Sequence, residues 1–85
     1  MDRCYFCGRL AECTHHVYFG TAKRAISEKY GFTVRLCNYH HNMGGKNSVH
    51  GNREMDLRLK EEFQRRFEKE HSREEFRALI GRSYL

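Results

Sequence analysis

Cys4-Tyr5-Phe6-Cys7 and Cys37-Asn38-Tyr39-His40-His41 are the two stretches on which the fold turns. Each begins with a knuckle, Cys-x-x-Cys or Cys-x-x-His, the spacing at which a tight turn aims two ligands at one ion. Together the knuckles make one four-coordinate zinc site, with Cys4, Cys7, Cys37 and His40 as ligands. Five of the six histidines and three of the four cysteines lie in or near these stretches, because His15-His16 and His50 complete the set. The histidines left over, His15, His16, His41 and His50, are enough for a second, open metal site of the kind that cuts phosphodiesters. Blander readings stand beside these. His41 could replace His40 in the zinc site, His15-His16 could be surface strand histidines, and His50 could simply precede a helix.

Size points the same way. Eighty-five residues make one domain, and a chain this short buries too little apolar surface for a wide margin of stability. A structural zinc supplies on the order of 10 kcal/mol of apparent binding free energy, more than so small a core leaves over. The expected organisation is a single domain over 1–85. Residues 1–51 carry the knuckles and a metal-binding core, and 52–85 form packing helices.

The formal net charge is +5 and the sequence pI is near 9.2. A compact basic domain favours polyanions, of which nucleic acid is the commonest. Lys23, Arg24, Arg35, Lys46 and Arg53 are candidate phosphate contacts, although basic residues on helices are often only solvated surface. Met1-Asp2-Arg3-Cys4 carries no apolar signal-peptide core, and no stretch reaches transmembrane length. A cytoplasmic chain with no membrane partner is expected, its cysteines reduced and metal-binding rather than paired in disulfides. Cys13, outside the knuckles, reads as a small buried apolar residue.

Residues 14–19 are β-branched, aromatic and histidine, a short strand by propensity. Thr21 can cap a helix over 22–30 that places Ala22, Ala25, Ile26 and Tyr30 on one face, with Gly31 as its stop. Alternation in Phe32-Thr33-Val34-Arg35-Leu36 predicts a second strand running into Cys37. About one helical turn over 38–43 should end at Gly44-Gly45. Met55, Leu59, Phe63 and Phe67 then recur every four residues on the longest helix, with a charged opposite face. Asp56 with Lys60 and Glu62 with Arg66 are favourably oriented pairs along it. Ser72-Arg73-Glu74-Glu75 is a capping box that starts a last helix carrying Phe76, Leu79 and Ile80 and ending at Gly81. The fold class is α+β, with the knuckles and strands in front and helices behind.

Hydrolysis of a phosphodiester needs a water activated near neutral pH, and an imidazole titrates in the right range. It also needs a cation on the scissile phosphate, which neutral imidazoles can hold while leaving coordination positions open. Neighbouring strand residues point to opposite faces, so a bulge is expected to present His15 and His16 together.

Cys4-Tyr5-Phe6-Cys7, His15-His16-Val17, Ser27-Glu28-Lys29-Tyr30-Gly31, Leu36-Cys37-Asn38-Tyr39-His40-His41 and Val49-His50-Gly51-Asn52 together resemble the HNH endonuclease family, and within it the small phage-encoded proteins. The resemblance spans most of the chain and is weakest over the C-terminal helices. It implies a zinc-stapled ββα-metal, treble-clef-like module that clamps one divalent ion. His15 is then a ligand of that ion, His16 the general base, His41 the next ligand and His50 a further one. The asparagine that gives the family its middle letter has no counterpart between His16 and Cys37, which leaves Ser27 or Thr21 to take its place. Many relatives carry a last histidine one helical turn after the preceding ligand. That position is Gly45 here, so the third ligand falls to His50 or to water.

The function this implies is DNA endonuclease activity with structural zinc and a second divalent metal (magnesium, manganese, nickel or zinc). The alternative is a non-catalytic, zinc-stabilised protein that either binds nucleic acid or serves as an accessory to recombination or packaging proteins of a phage.

Overall fold

The computed structural model of the chain describes residues 2–20 and 22–85. Strands β1 (Cys13–His16) and β2 (Thr33–Leu36) bracket helix α1 (Lys23–Tyr30), and helices α2 (Arg53–Phe67) and α3 (Arg73–Ile80) follow. Between β2 and α2 lie a wide helical turn at Tyr39–Met43 and a tighter one at Gly45–Asn47. The chain is therefore a small α+β protein with a two-stranded sheet. Among the described residues no helix is long and apolar enough to cross a membrane.

The strands pair antiparallel with Cys13 opposite Leu36, His15 opposite Val34 and His16 opposite Thr33. Directly paired residues share a face, so His15 joins the buried Val34 on the core side. The register continues past the strand end, because the Val17 amide donates to the Phe32 carbonyl at 2.9 Å. The expected bulge at the histidine pair is therefore absent, and the first strand is shorter than 14–19. The pairing needs no extra residue, since a cleft wraps the strand end and both imidazoles line it.

Helix α1 departs from its expected face. Ala22, Ala25 and Tyr30 are exposed, Ile26 is half-buried and Ser27 is fully buried. The Ser27 hydroxyl donates to the Tyr18 carbonyl at 2.6 Å and accepts from the Tyr18 amide at 3.1 Å. A hydroxyl satisfied twice is not penalised by burial, whereas alanine methyls offer little apolar area to bury. Thr21, the expected cap, lies outside the described residues. Gly31 ends α1 in the left-handed region at φ 75°.

On α2, Leu59 and Phe63 are buried and Met55 and Phe67 half-buried, as the four-residue repeat requires. The Asn52 side chain caps the helix, accepting from the amides of Glu54 and Met55. Lys60 and Gln64 are also buried, against the expectation of a solvated charged side. Lys60 tolerates this because Asp56 lies 2.5 Å from its ammonium and the Phe19 ring centroid 4.2 Å away. Gln64 accepts from the Tyr84 amide at 2.7 Å and donates to Ser83, which ties the C-terminal segment to α2. The Ser72–Glu75 capping box forms, and Phe76 and Ile80 of α3 are buried. One core runs from Cys4 and Cys37 through Tyr18, Phe32 and Leu36 to Phe63, Phe76 and Ile80. The helical stripe and the cysteine knuckles thus share the same interior.

Candidate metal centres and the adjoining cleft

The first knuckle is a tight turn, with the Gly8 amide on the Cys4 carbonyl at 3.0 Å and the Cys4 amide on the Arg9 carbonyl at 2.7 Å. The Tyr5 amide donates to the Arg35 carbonyl at 2.8 Å, which docks this turn on β2 just before Cys37. The second knuckle starts where β2 ends, and the wide turn that follows brings His40 back towards Cys37.

Cys4, Cys7, Cys37 and His40 each offer a ligand atom, and all four atoms lie within 4.8 Å of one another, so the cluster could hold a metal ion. The sulfurs of Cys7 and Cys37 are 3.7 Å apart, and the His40 Nδ1 atom is 3.3 Å from Cys37 Sγ and 3.9 Å from Cys4 Sγ. A tetrahedral ion with bonds of roughly 2.3 Å to sulfur and 2.0 Å to nitrogen separates its ligands by roughly 3.5–3.8 Å. The observed spacings fit. Burial pushes the Cys4 thiol up, but the amides of Cys37, Cys7 and Phe6 outweigh it and bring Cys4 down to about 6. For Cys7 the Arg9 amide favours the thiolate, yet lost hydration and the sulfurs of Cys4 and Cys37 push it up. Sulfurs that oppose one another's ionisation are relieved by a shared cation. None of the four cysteines is in a disulfide. Cys13 stands apart from the cluster, half-buried, its thiol on the Leu36 carbonyl at 3.3 Å.

A second convergence lies on the other side of the wide turn. His15 from β1, His41 from the turn and His50 from the loop before α2 bring their ligand atoms within 4.8 Å of one another. His40 and His41 therefore divide between the two clusters, and His41 is not an alternative to His40. The Nε2 atoms of His41 and His50 are 3.1 Å apart. His15 is 2% exposed, and its Nε2 is buried with no hydrogen-bond partner. A buried orphan nitrogen facing two other imidazoles fits a metal-ligand donor set. Burial, then the positive fields of His50, His41, Lys60 and His16, lower His15 to about 3. It is therefore a neutral imidazole at ordinary pH. Burial and His50 also lower His41.

Backbone contacts hold the third imidazole in place. The Val49 amide donates to the His40 carbonyl at 2.8 Å and the His50 amide to the His41 carbonyl at 3.1 Å. The loop folds back so closely that a Cβ on Gly51 would sit 1.9 Å from the Gly45 carbonyl oxygen. Gly45, at φ 56°, provides the turn rather than a ligand, and the third imidazole of the group is that of His50.

The three imidazoles open into a cleft of about 510 Å³, also lined by Thr14, His16, Phe19, Gly20 and Arg24. His16 is half-buried at its edge, its Nε2 2.9 Å from Glu28 Oε1. The expected basic residues scatter. Arg24 reaches the cleft. Lys23 lies instead in a groove with Lys60 and Tyr84. Arg35 is engaged by Asp2 at 2.5 Å and by Thr14 at 2.7 Å. Lys46 and Arg53 are exposed on either side of the His50 loop in sequence.

Three contributors were not anticipated as site residues. Glu28 meets His16. Phe19 packs on His15 and His50, with ring centroids 6.1 and 5.6 Å away. Lys60 lies beneath Phe19. Glu28 sits in a charged helical stretch, and no local signal distinguishes it from surface. Ser27, weighed as a stand-in for the missing asparagine, clamps the main chain of Tyr18 rather than His16 itself.

No protein-family model matches the chain, and neither a curated protein nor a solved structure matches it.

Proposed function

We propose that this chain is a metal-dependent DNA endonuclease of HNH type, with a ββα-metal, treble-clef-like core. Cys4, Cys7, Cys37 and His40 would hold zinc, and His15, His41 and His50 would hold a second divalent ion. The observation that carries this reading is the convergence of three imidazoles in a cleft that Arg24 and a fourth imidazole, His16, also line.

When bound, the second cation supplies positive charge against the scissile phosphate and the leaving oxygen. His15, buried and neutral, keeps its lone pair available as a ligand without competition from protons. His16 takes the proton of the water that attacks phosphorus, while the bond from phosphorus to the leaving oxygen breaks and that oxygen gains a proton from solvent. Arg24 contacts the backbone phosphate. Little base readout is expected, because phosphate contacts position a duplex without reading its sequence.

Nicking of supercoiled plasmid with magnesium, manganese or nickel tests the proposal, for wild type and for His16→Ala. Wild type should nick, and the variant should lose at least about 100-fold in rate. Retained cleavage by His16→Ala removes that residue from the mechanism. The missing middle asparagine favours a second reading, a zinc-stapled nucleic-acid-binding accessory of phage recombination or packaging proteins. It gains if no metal supports cleavage and DNA is still bound.

A further inference from the structure

We infer that Glu28 is a positioning residue for His16. It holds the imidazole in the tautomer with hydrogen on Nε2, which leaves the Nδ1 lone pair free to take a proton from water. The use made of Nδ1 rests on the hydrolytic reading above; the tautomer does not.

The contact is 2.9 Å between His16 Nε2 and Glu28 Oε1. An ionised carboxylate only accepts, so the hydrogen of this bond belongs to the imidazole. A neutral imidazole carries one hydrogen, so a donor at Nε2 is a bare acceptor at Nδ1. The two side chains come from elements locked together by buried bonds. Ser27, adjacent to Glu28, is fully buried and grips both the amide and the carbonyl of Tyr18, two residues beyond His16. The separation of strand and helix is therefore set by the interior rather than by the reach of an exposed glutamate. The His16 side chain is 13% exposed and that of Glu28 63%. So exposed a partner adds little stability, and what it contributes is orientation.

The contrast with His15 sharpens the assignment. His15 has its Nε2 buried without a partner and belongs to the converging trio, whereas His16 is outside that trio and meets a carboxylate. Adjacent histidines are thus prepared for different work, one as a ligand and one as a base. A carboxylate behind an imidazole can also serve to orient a metal ligand, so the test must separate the two roles.

The full zinc-loaded chain, labelled with ¹⁵N-histidine, reports the tautomer in long-range ¹H–¹⁵N spectra. Wild-type His16 should carry its hydrogen on Nε2, Glu28→Ala should shift it to a mixture, and Glu28→Gln, whose amide can donate to a bare Nε2 as well as accept from it, should not restore it. A wild-type hydrogen on Nδ1, or a tautomer unchanged in Glu28→Ala, overturns the inference whether or not the protein cleaves DNA. In plasmid cleavage with manganese, Glu28→Ala should lower kcat about 10-fold to 100-fold with KM and manganese affinity unchanged, and Glu28→Gln should recover little of the loss. Weakened manganese binding in Glu28→Ala overturns it in favour of a ligand-orienting role. If wild type cleaves nothing, the hydrolytic reading fails and the spectra alone decide the tautomer.

Discussion

His41 Nε2 and His50 Nε2 stand 3.1 Å apart, although one side chain comes from the turn after β2 and the other from the loop before α2. Ligand nitrogens about 2.1 Å from a shared ion are separated by roughly 3.0–3.4 Å, depending on geometry. The spacing is compatible with two ligands on one cation, and equally with a hydrogen bond between the two rings. Removing one should be felt in metal affinity before anything else. His50→Ala is expected to weaken manganese binding at least about 10-fold and to leave one zinc per chain. Titration calorimetry and native mass spectrometry check the two parts separately.

The cysteine cluster has a different task. Cys4 and Cys37 belong to the same core as Leu36 and Phe76, so withdrawal of an ion held by this cluster should loosen the whole chain. A strong chelator at neutral pH, or Cys37→Ser, is expected to abolish the cooperative thermal transition seen by circular dichroism, because binding worth about 10 kcal/mol or more is withdrawn. A sharp transition that survives chelation would show that the apolar core suffices.

Acid should act through His15. Its folded pKa is lowered to about 3, against an unfolded value near 6.5. Below about pH 6.5 the unfolded chain takes up a proton at this residue and the folded chain does not. Stability from this group is thus complete above pH 6.5 and declines as pH falls towards 3. His15→Phe has no proton to gain. The urea stability of wild type minus that of the variant should fall as pH is lowered from 7 to 5, a difference in which the acid sensitivity of the cysteine site cancels.

Ser27→Ala leaves the Tyr18 amide and carbonyl without their shared partner in the interior. A cost of about 2–6 kcal/mol is expected, since each unsatisfied buried group costs about 1–3 kcal/mol. Urea unfolding of the zinc-loaded protein measures it. A change below about 0.5 kcal/mol would mean that water replaces the hydroxyl at no loss.

What the sequence disclosed was whatever depends on near neighbours. The knuckle spacings, the alternation into Cys37, the Leu59–Phe63 repeat, the Ser72–Glu75 box and the glycine stops at 31 and 81 are all local patterns. The Tyr5 amide on the Arg35 carbonyl, which docks the first turn on β2, then converts two local knuckles into one cluster. What stayed hidden depends on partners brought by the fold. The inward face of α1 is decided by a main-chain partner for Ser27 rather than by apolar spacing. Lys60 is buried because Asp56 and Phe19 surround its ammonium. Glu28 reaches His16 across the strand–helix gap, a contact that no period or propensity foretells. The separation of His40 from His41 into different clusters likewise follows from the wide turn at Tyr39–Met43.

The most direct trial is cleavage of supercoiled plasmid by zinc-loaded protein in manganese, for wild type beside His41→Ala. Wild type should convert the plasmid to the nicked form, and the variant should keep its zinc yet lose at least about 100-fold in rate. A wild type inert in magnesium, manganese and nickel alike, or a His41→Ala protein that nicks as fast as its parent, would mean that the three imidazoles do not hold a catalytic ion.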